Sequence, residues 1–517
     1  MCDNSEIPNN IITFAAKFFK VIKMYKVKII SVAVMLATAT TALAGGILTN
    51  TNQSVEFLKN PARDAAIGLD GVYSNPAGVV FMPEGFHLAI NWQYAHQTRT
   101  ITSTNPLFAL GKKNDGQTTK VFEGIADAPF IPSVQAAYNT GDWSIQFNFS
   151  IPGGGGVCEF DNGLGSFESA VGMIAKQLEP LGAQGYDADA YMRGRQYYFG
   201  FQLGAAYKIN EHLSVYGGLR ALYGNASYKA RLSNIQVKTQ GGYVNFDAFL
   251  NDAVGNINKQ LGQAELATQM GVYTPEQYAA AKAQADGALA QLAPLEKYSL
   301  GVNLMSNQTG FGIAPIIGID YKTGPFNFAA KYEFNTQMKM KNNSTLEKAM
   351  EVEAVNKFQD GTKVDEDAPA LLTVGAQWSV IPSVRVNAGY HHYFDTKAHW
   401  YNHSEKKLDG DTNEYLAGVE WDLNEKFNVS AGGQLTRYQL TDDYMNDMSF
   451  VVNSYSFGFG ISYKPTEKIK VTAAYFQTNY EDYDKVTTAN PTTGATVVGD
   501  SFTRTNRVLG LGVEFSF

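Results

Sequence analysis

The sequence predicts an all-β fold, a transmembrane antiparallel up-and-down β-barrel of about fourteen strands with an N-terminal plug inside and helical segments in its outer loops. Three observations predict it. Segments alternate between apolar and polar residues, their connections alternate between short and long, and an export signal is followed by no run of 18 apolar residues that could cross a bilayer as a helix. Composition agrees: 49 glycines, 29 tyrosines and 31 phenylalanines accompany only 17% charged residues in a chain of 517, below the quarter usual for soluble domains. The net charge of −8 and the lack of any Lys/Arg block argue against nucleic acid as a partner.

The elements follow in chain order. Met24-Tyr25-Lys26-Val27-Lys28 is basic, Ile29 to Leu36 is apolar, and Ala42-Leu43-Ala44 closes the run, the layout of a secretory signal cleaved after Ala44. Residues 1–23 read as an extension. A membrane anchor over 11–43 is broken by Lys17, Lys20, Lys23, Lys26 and Lys28. With Cys2 removed, Cys158 is left without a partner for an intrachain disulfide. The domains expected are therefore 1–44 (extension and signal), 45–84 (plug) and 85–517 (barrel).

From residue 85 the period is two. Phe86, Leu88, Ile90, Trp92 and Tyr94 oppose His87, Asn91 and Gln93; Leu509, Leu511, Val513, Phe515 and Phe517 oppose Gly510, Gly512, Glu514 and Ser516. Such segments fall near 85–103, 130–139, 142–151, 195–208, 212–232, 308–322, 326–340, 368–380, 383–397, 412–423, 426–440, 448–463, 468–483 and 501–517. Tight turns such as Thr140-Gly141, Asn210-Glu211 and Asn424-Glu425 alternate with long loops, which sorts the two kinds to opposite rims of a closed sheet. A soluble sandwich needs strands of about 5–6 residues, shorter than these. The aromatic Phe517 resembles the recognition signal of barrel-insertion machinery. Two loops carry helical periodicity: Phe167, Val171, Ile174 and Leu178 in one; Phe246, Phe249, Leu250, Val254 and Ile257 in the other, followed by Thr274-Pro275 as a helix start.

A fourteen-stranded barrel is too wide for its wall side chains to fill. The Gly/Asn/Pro-rich segment 45–84 has no sheet of its own and is expected to fold inside, ending at Asn75-Pro76-Ala77 before Gly78 and Pro83 release the chain to the wall at Gly85. The signal, this plug motif, the fourteen strands, the helical loops and the terminal Phe517 together resemble the FadL-type outer-membrane transporters of long-chain fatty acids and other hydrophobic compounds. The likeness spans 45–517; a second Asn60-Pro61-Ala62 occurs upstream, and the chain carries extra length in its loops. The resemblance implies passive transport. Substrate is captured on an apolar groove between outer loops, the plug rearranges, and substrate is released sideways into the membrane at a kinked third strand. Pro152, Gly153 and Gly154 are the candidates for that lateral gap.

A fatty carboxylate in a low-dielectric lumen needs a cation. By parity Arg220, Lys331 and Arg385 face inward, where Glu333, Glu420 and Glu514 compete for them. Groove candidates are Phe167, Val171, Ile174, Phe246, Phe249 and Leu250. His399 and His403 have the i, i+4 spacing of metal ligands on a helix but lie at a strand-to-loop transition, where an aromatic girdle is the simpler use. His87 and His212 lack a nucleophile motif. The expectation is a non-enzymatic monomer without metal or cofactor, partnered by hydrophobic small molecules, outer-membrane lipid and the barrel-assembly machinery. The alternatives are a surface barrel whose loops bind external partners, or a general porin.

Overall fold

Strict alternation gives each long segment one face that only lipid or a core can solvate and one that tolerates water, and the structure uses both. The computed structural model describes residues 54–299, 301–347 and 357–517; the signal and residues 45–53 lie outside the described residues. The first six wall strands are β1 (Gly85–Thr104), β2 (Thr119–Thr140), β3 (Trp143–Phe160), β4 (Gly185–Lys208), β5 (Leu213–Thr239) and, after the short β6 (Gly242–Asn245), β7 (Val302–Thr323). The wall continues through β8 (Phe326–Glu333), with β9 (Lys339–Glu347) and β10 (Lys363–Asp365) as outer additions. It then runs through β11 (Leu371–Ile381), β12 (Val384–Tyr393), β13 (Thr412–Asp422), β14 (Phe427–Arg437), β15 (Ser454–Thr466), β16 (Ile469–Tyr480) and, after β17 (Tyr483–Ala489), β18 (Thr496–Ser516).

Fourteen of these close the barrel, all antiparallel, with β1 meeting β18 in register from His87↔Ser516 to Thr104↔Gly499. Closure leaves no unpaired edge in the bilayer. The seam ends where the Phe517 amide donates to the Phe86 carbonyl at 2.9 Å and the two rings stack.

The outward residues form a band. Trp143, Tyr207, Tyr321, Trp378, Trp421, Tyr463 and Phe517 ring its lower edge; Ile145, Leu203, Leu219, Ile317 and Leu511 fill its middle, all more than half exposed. Trp92, Tyr197, Tyr223, Tyr332, Tyr390, Tyr415 and Tyr455 ring its top. These are the aromatic girdles and apolar belt of a membrane barrel. Beyond the upper girdle the outward positions become polar: His96, Asp127, Arg195, Asn225, Asn413 and Arg507.

Those extensions are where expectation and structure part. β2 begins at Thr119 instead of near 130, because above the girdle the outward face meets water while small inward residues such as Gly124 and Ala126 give little apolar signal. The expected strand 326–340 is interrupted: β8 stops at Glu333, the chain turns inward through Thr336 and Met338, and pairing with β7 resumes as β9. Strand β15 starts at Ser454, after a loop whose Phe450, Val451 and Val452 are buried.

The outer loops carry α2 (Gly165–Gln177), α3 (Phe246–Gln269) and α4 (Pro275–Ser299); a short α1 (Val55–Lys59) precedes the barrel. Thr274 and Gln277 form a reciprocal capping box at α4, with the Gln277 amide donating to the Thr274 hydroxyl and the Thr274 amide to the Gln277 side chain.

Candidate functional site

Residues 54–84 are nearly all buried, and their hydrogen bonds run to inward side chains all round the wall. Irregular backbone at membrane depth needs such partners. The wall supplies donors to successive carbonyls: Asn327 to Ala65 (2.8 Å), Gln202 to Val72 (2.9 Å), Lys331 to Tyr73 (2.8 Å), Gln146 to Pro76 (2.7 Å), Ser214 to Ala77 (2.7 Å) and Asn139 to Val79 (2.9 Å). Asn75 is the hub of the Asn75-Pro76-Ala77 motif. Its side chain donates to Asp320 (2.7 Å) and accepts from the Gly78 amide (3.2 Å). The segment does not end there, since Gly78–Phe81 makes one more buried 3-10 turn before the wall.

Residues 55–64 lie in a recess built of glycine. Cβ atoms at Gly375 and Gly389 would collide with Asp64, at Gly418 with Asn60, at Gly432 with Pro61, at Gly458 with the Leu58 carbonyl, and at Gly510 with Leu58. Charges finish the attachment. Lys59 donates to Asn428 (2.7 Å) and Ser462 (2.8 Å), Arg63 pairs with Asp70 and Glu420, and His391 sits 2.9 Å from both Asp64 and Glu414.

The three basic residues singled out from sequence are likewise occupied, two of them against this segment and Arg385 within the wall. Arg220, fully buried, donates to both Glu333 oxygens (2.6 and 2.7 Å) and to Gln202 (2.7 Å), with Tyr73 under its guanidinium at 4.7 Å. Lys331 also lies over the Tyr73 ring, at 5.0 Å. Arg385 is bound by Asp422 at 2.6 and 3.1 Å and approaches Glu420 at 3.5 Å. None of the three presents a free charge to the lumen.

Two arginines above the upper girdle do. Arg99 on β1 and Arg504 on β18 are direct cross-strand partners, and both point inward beside Ile101 and Phe502, each 0% exposed. Arg99 stands over Phe450 at 5.9 Å and Arg504 over Tyr480 at 5.0 Å; the Arg504 Nη2 donates weakly to Gln97 at 3.3 Å. Neither forms an ion pair among the described residues, and the Nε of each, with Asn506 Oδ1 nearby, is buried without a hydrogen-bond partner. Parity alone finds them inward. Their meeting depends on a register joining positions at opposite ends of the barrel sequence.

The wall itself breaks beside this chamber. Strands β2 and β3 pair from Thr140↔Trp143 to Val134↔Phe149, and again from Asp127↔Val157 to Ile125↔Glu159, but not between. On the other side β3 slips against β4 at Ser150/Gly153 and at Gly153/Gly156. Pro152, Gly153 and Gly154 lie at this break. So do Pro129 and Pro132 of β2, which the sequence reading left out; two prolines in one strand were the available signal. Three residues without an amide proton cannot bridge the ladder. Gly154, with φ of 92°, holds a conformation that a side chain would strain. The Trp92 indole caps the freed Pro129 carbonyl at 3.0 Å.

Over the chamber the loops make a lid. Val171 and Ile174 of α2 share one buried cluster with Phe246, Phe249 and Leu250 of α3, while Phe167 belongs to the chamber cluster with Phe108, Phe122 and Phe450. The six groove candidates are thus the closed interior of the lid, with α2 between its outer layer and the chamber. Ala190 and Val302 touch both clusters. His399 and His403 pair separately with Asp367 and Glu405, and His403 has φ of 52°, so no helical face joins them. No group of three or more metal-ligating side chains occurs among the described residues.

No protein-family model matches the sequence, and no curated protein matches it. Solved structures do. A FadL homologue of Pseudomonas aeruginosa aligns with a TM-score of 0.57 at 11% identity over 90% of this chain and 98% of that one. The toluene transporter TodX of P. putida aligns at 0.53 with 13% identity, over 87% and 94%. At such identities the likeness is one of fold: the chain has the architecture of the FadL-type outer-membrane barrels.

Proposed function

We propose that the protein is a passive outer-membrane transporter of hydrophobic small molecules, with residues 45–84 as its plug and long-chain fatty acids as its default substrates. The observation that carries this is the break between β2 and β3 at the top of the lipid-facing band, beside a lumen stoppered from below. A water-filled pore has no use for a lateral opening, and a purely structural barrel has no use for a strained one. Substrate enters the lid, passes α2 into the chamber, meets Arg99 and Arg504 if it carries a carboxylate, and leaves through the wall into lipid. Arg220 and Lys331 hold the plug in this scheme, and Arg385 pairs within the wall, instead of binding substrate. The solved relatives in fold include a toluene transporter, which supports an apolar cargo without fixing its class.

Liposomes containing the mature chain test it. Labelled oleate or toluene should equilibrate across the protein while sucrose does not. Replacing Pro129, Pro132 and Pro152 with threonine restores three ladder donors and should cut hydrophobic flux at least tenfold. Sucrose permeation through the intact protein, or undiminished flux in the threonine variant, would refute the scheme.

One observation favours a second reading. Helices α3 and α4, of 24 and 25 residues, form a hairpin whose tip exposes Leu266, Met270 and Val272 at 56–72%. If external partners bind there, deleting 262–274 abolishes that binding and leaves oleate flux intact.

A further inference from the structure

The outer wall above the upper girdle carries its densest run of basic residues on one side. Along β4 and β5 the outward positions beyond Tyr197 and Tyr223 are Arg195, Arg193, Lys229 and Arg231; across β7, strands β9 and β10 continue with Lys341 and Lys363. Register makes two pairs of these side chains direct neighbours, the second lower on the wall than the first. Arg193 lies directly opposite Lys229, and Lys341 directly opposite Lys363. Like charges facing each other across a ladder destabilise a sheet unless an anion lies between them. Among the described residues none of the six forms an ion pair. The acids nearby have other partners: Glu159, opposite Arg193, takes the Tyr191 hydroxyl, Asp189 is held by Lys113 and Asn234 while also facing Arg231, and Asp365 pairs with Lys339. Ser227, Asn307, Thr309 and Asn343 add hydrogen-bonding groups at other outward positions, Arg195 donates to Asn225 at 2.8 Å, and the exposed Met305 lies opposite Lys229.

The position identifies the occupant. Five strands at about 4.8 Å spacing make a face roughly 20 Å wide, continuous below with the exposed aromatics Tyr223 and Phe311, which meet lipid. Arg195 and Arg193 stand only two and four residues beyond Tyr197, at headgroup height. The chain as a whole carries −8, so the patch is not a by-product of a basic composition. A lipid whose acyl chains lie on the apolar belt, with phosphates reaching the guanidinium and ammonium groups and sugar hydroxyls reaching the amides, satisfies every feature.

We propose that the outward face of β4, β5, β7, β9 and β10 above the girdle binds a phosphorylated glycolipid of the outer leaflet. The site is independent of the transport scheme and requires only that the barrel lie in such a membrane.

The test uses the full mature chain in phosphatidylcholine nanodiscs doped with bisphosphorylated lipid A or its dephosphorylated form, with bound lipid read by native mass spectrometry. The wild type should retain lipid A and release the dephosphorylated form. Arg193→Gln with Lys229→Gln should weaken lipid A binding roughly 30-fold while keeping the heat-modifiable folded band. Arg437→Gln, which removes a cation paired with Glu481 on the far wall, should change nothing. Equal retention of both lipids, no loss in the double variant, equal loss in Arg437→Gln, or displacement of lipid A by millimolar inorganic phosphate would each overturn the proposal. So would preferential capture of an acidic peptide.

Discussion

The lower and upper halves of the lumen are filled on opposite principles. Below the girdle, charges are abundant and matched: Arg63 with Asp70 and Glu420, Arg220 with Glu333, Lys470 with Glu56 and Glu514. Above it, beside one buried pair of Lys357 with Glu366, aromatic and aliphatic side chains from five loops close over Arg99 and Arg504, which form no ion pair among the described residues. A matched buried pair fixes one arrangement, because losing either partner strands a charge. An unmatched pair in an apolar room is a standing demand for an anion. The first suits a segment that must stay put, the second a ligand that must come and go.

The largest expected effect comes from breaking the matched half. Glu333→Gln leaves Arg220 buried and uncompensated, at a cost of about 3–5 kcal/mol. Urea unfolding followed by heat-modifiable mobility should show it, and Arg220→Met combined with Glu333→Leu should recover most of the loss. Asn75→Ala removes one donor from Asp320 and the acceptor for Gly78, worth about 2 kcal/mol; planar-bilayer conductance should rise from near zero as the segment loosens. In the unmatched half the sign reverses. Arg99→Met with Arg504→Met relieves repulsion and should leave the empty protein as stable or about 1 kcal/mol more so. Saturable oleate uptake should fall severalfold while toluene uptake is kept; parallel loss of both cargoes would show the arginines to be structural.

The smallest effect concerns the lid. Burial and then Asp500 push the Asp447 carboxyl up to about 6, and this carboxylate accepts from the Ser166 amide at the start of α2 at 2.7 Å. A carboxyl whose folded value is raised destabilises the folded loop as pH climbs from about 4 through 6 and fully above that. Protease cleavage within 441–453 should therefore slow as pH drops from 7 to 5, and Asp447→Asn should make the rate flat across that range.

How much could be read in advance follows the solvent. Where lipid wets one face, as at Leu509 to Phe517, alternation is strict and the strands stand out. Above the girdle Thr98, Glu123 and Asp127 face water outside while Arg99 and Gly124 face a filled interior, so the first 11 residues of β2 and most of the upper β18 carry no clean period. Arg220 is visible because it places a charge on the lumen-facing register of a cleanly alternating strand, between Gly218 and Leu222. Arg99 lies in His96-Gln97-Thr98-Arg99-Thr100, polar on both faces, and nothing local marks it. The break in the wall was half visible, since Pro132 lay inside an expected strand while Pro129 and Pro152 lay just outside the ends of two.

The glycine recess constrains how such a protein can change. Gly375, Gly418, Gly458 and Gly510 lie far apart in the chain, yet each is shaped to the same ten residues. The same segment taken from another barrel of this fold would meet a cast made for different contours, so grafts should succeed only when the mould travels with them.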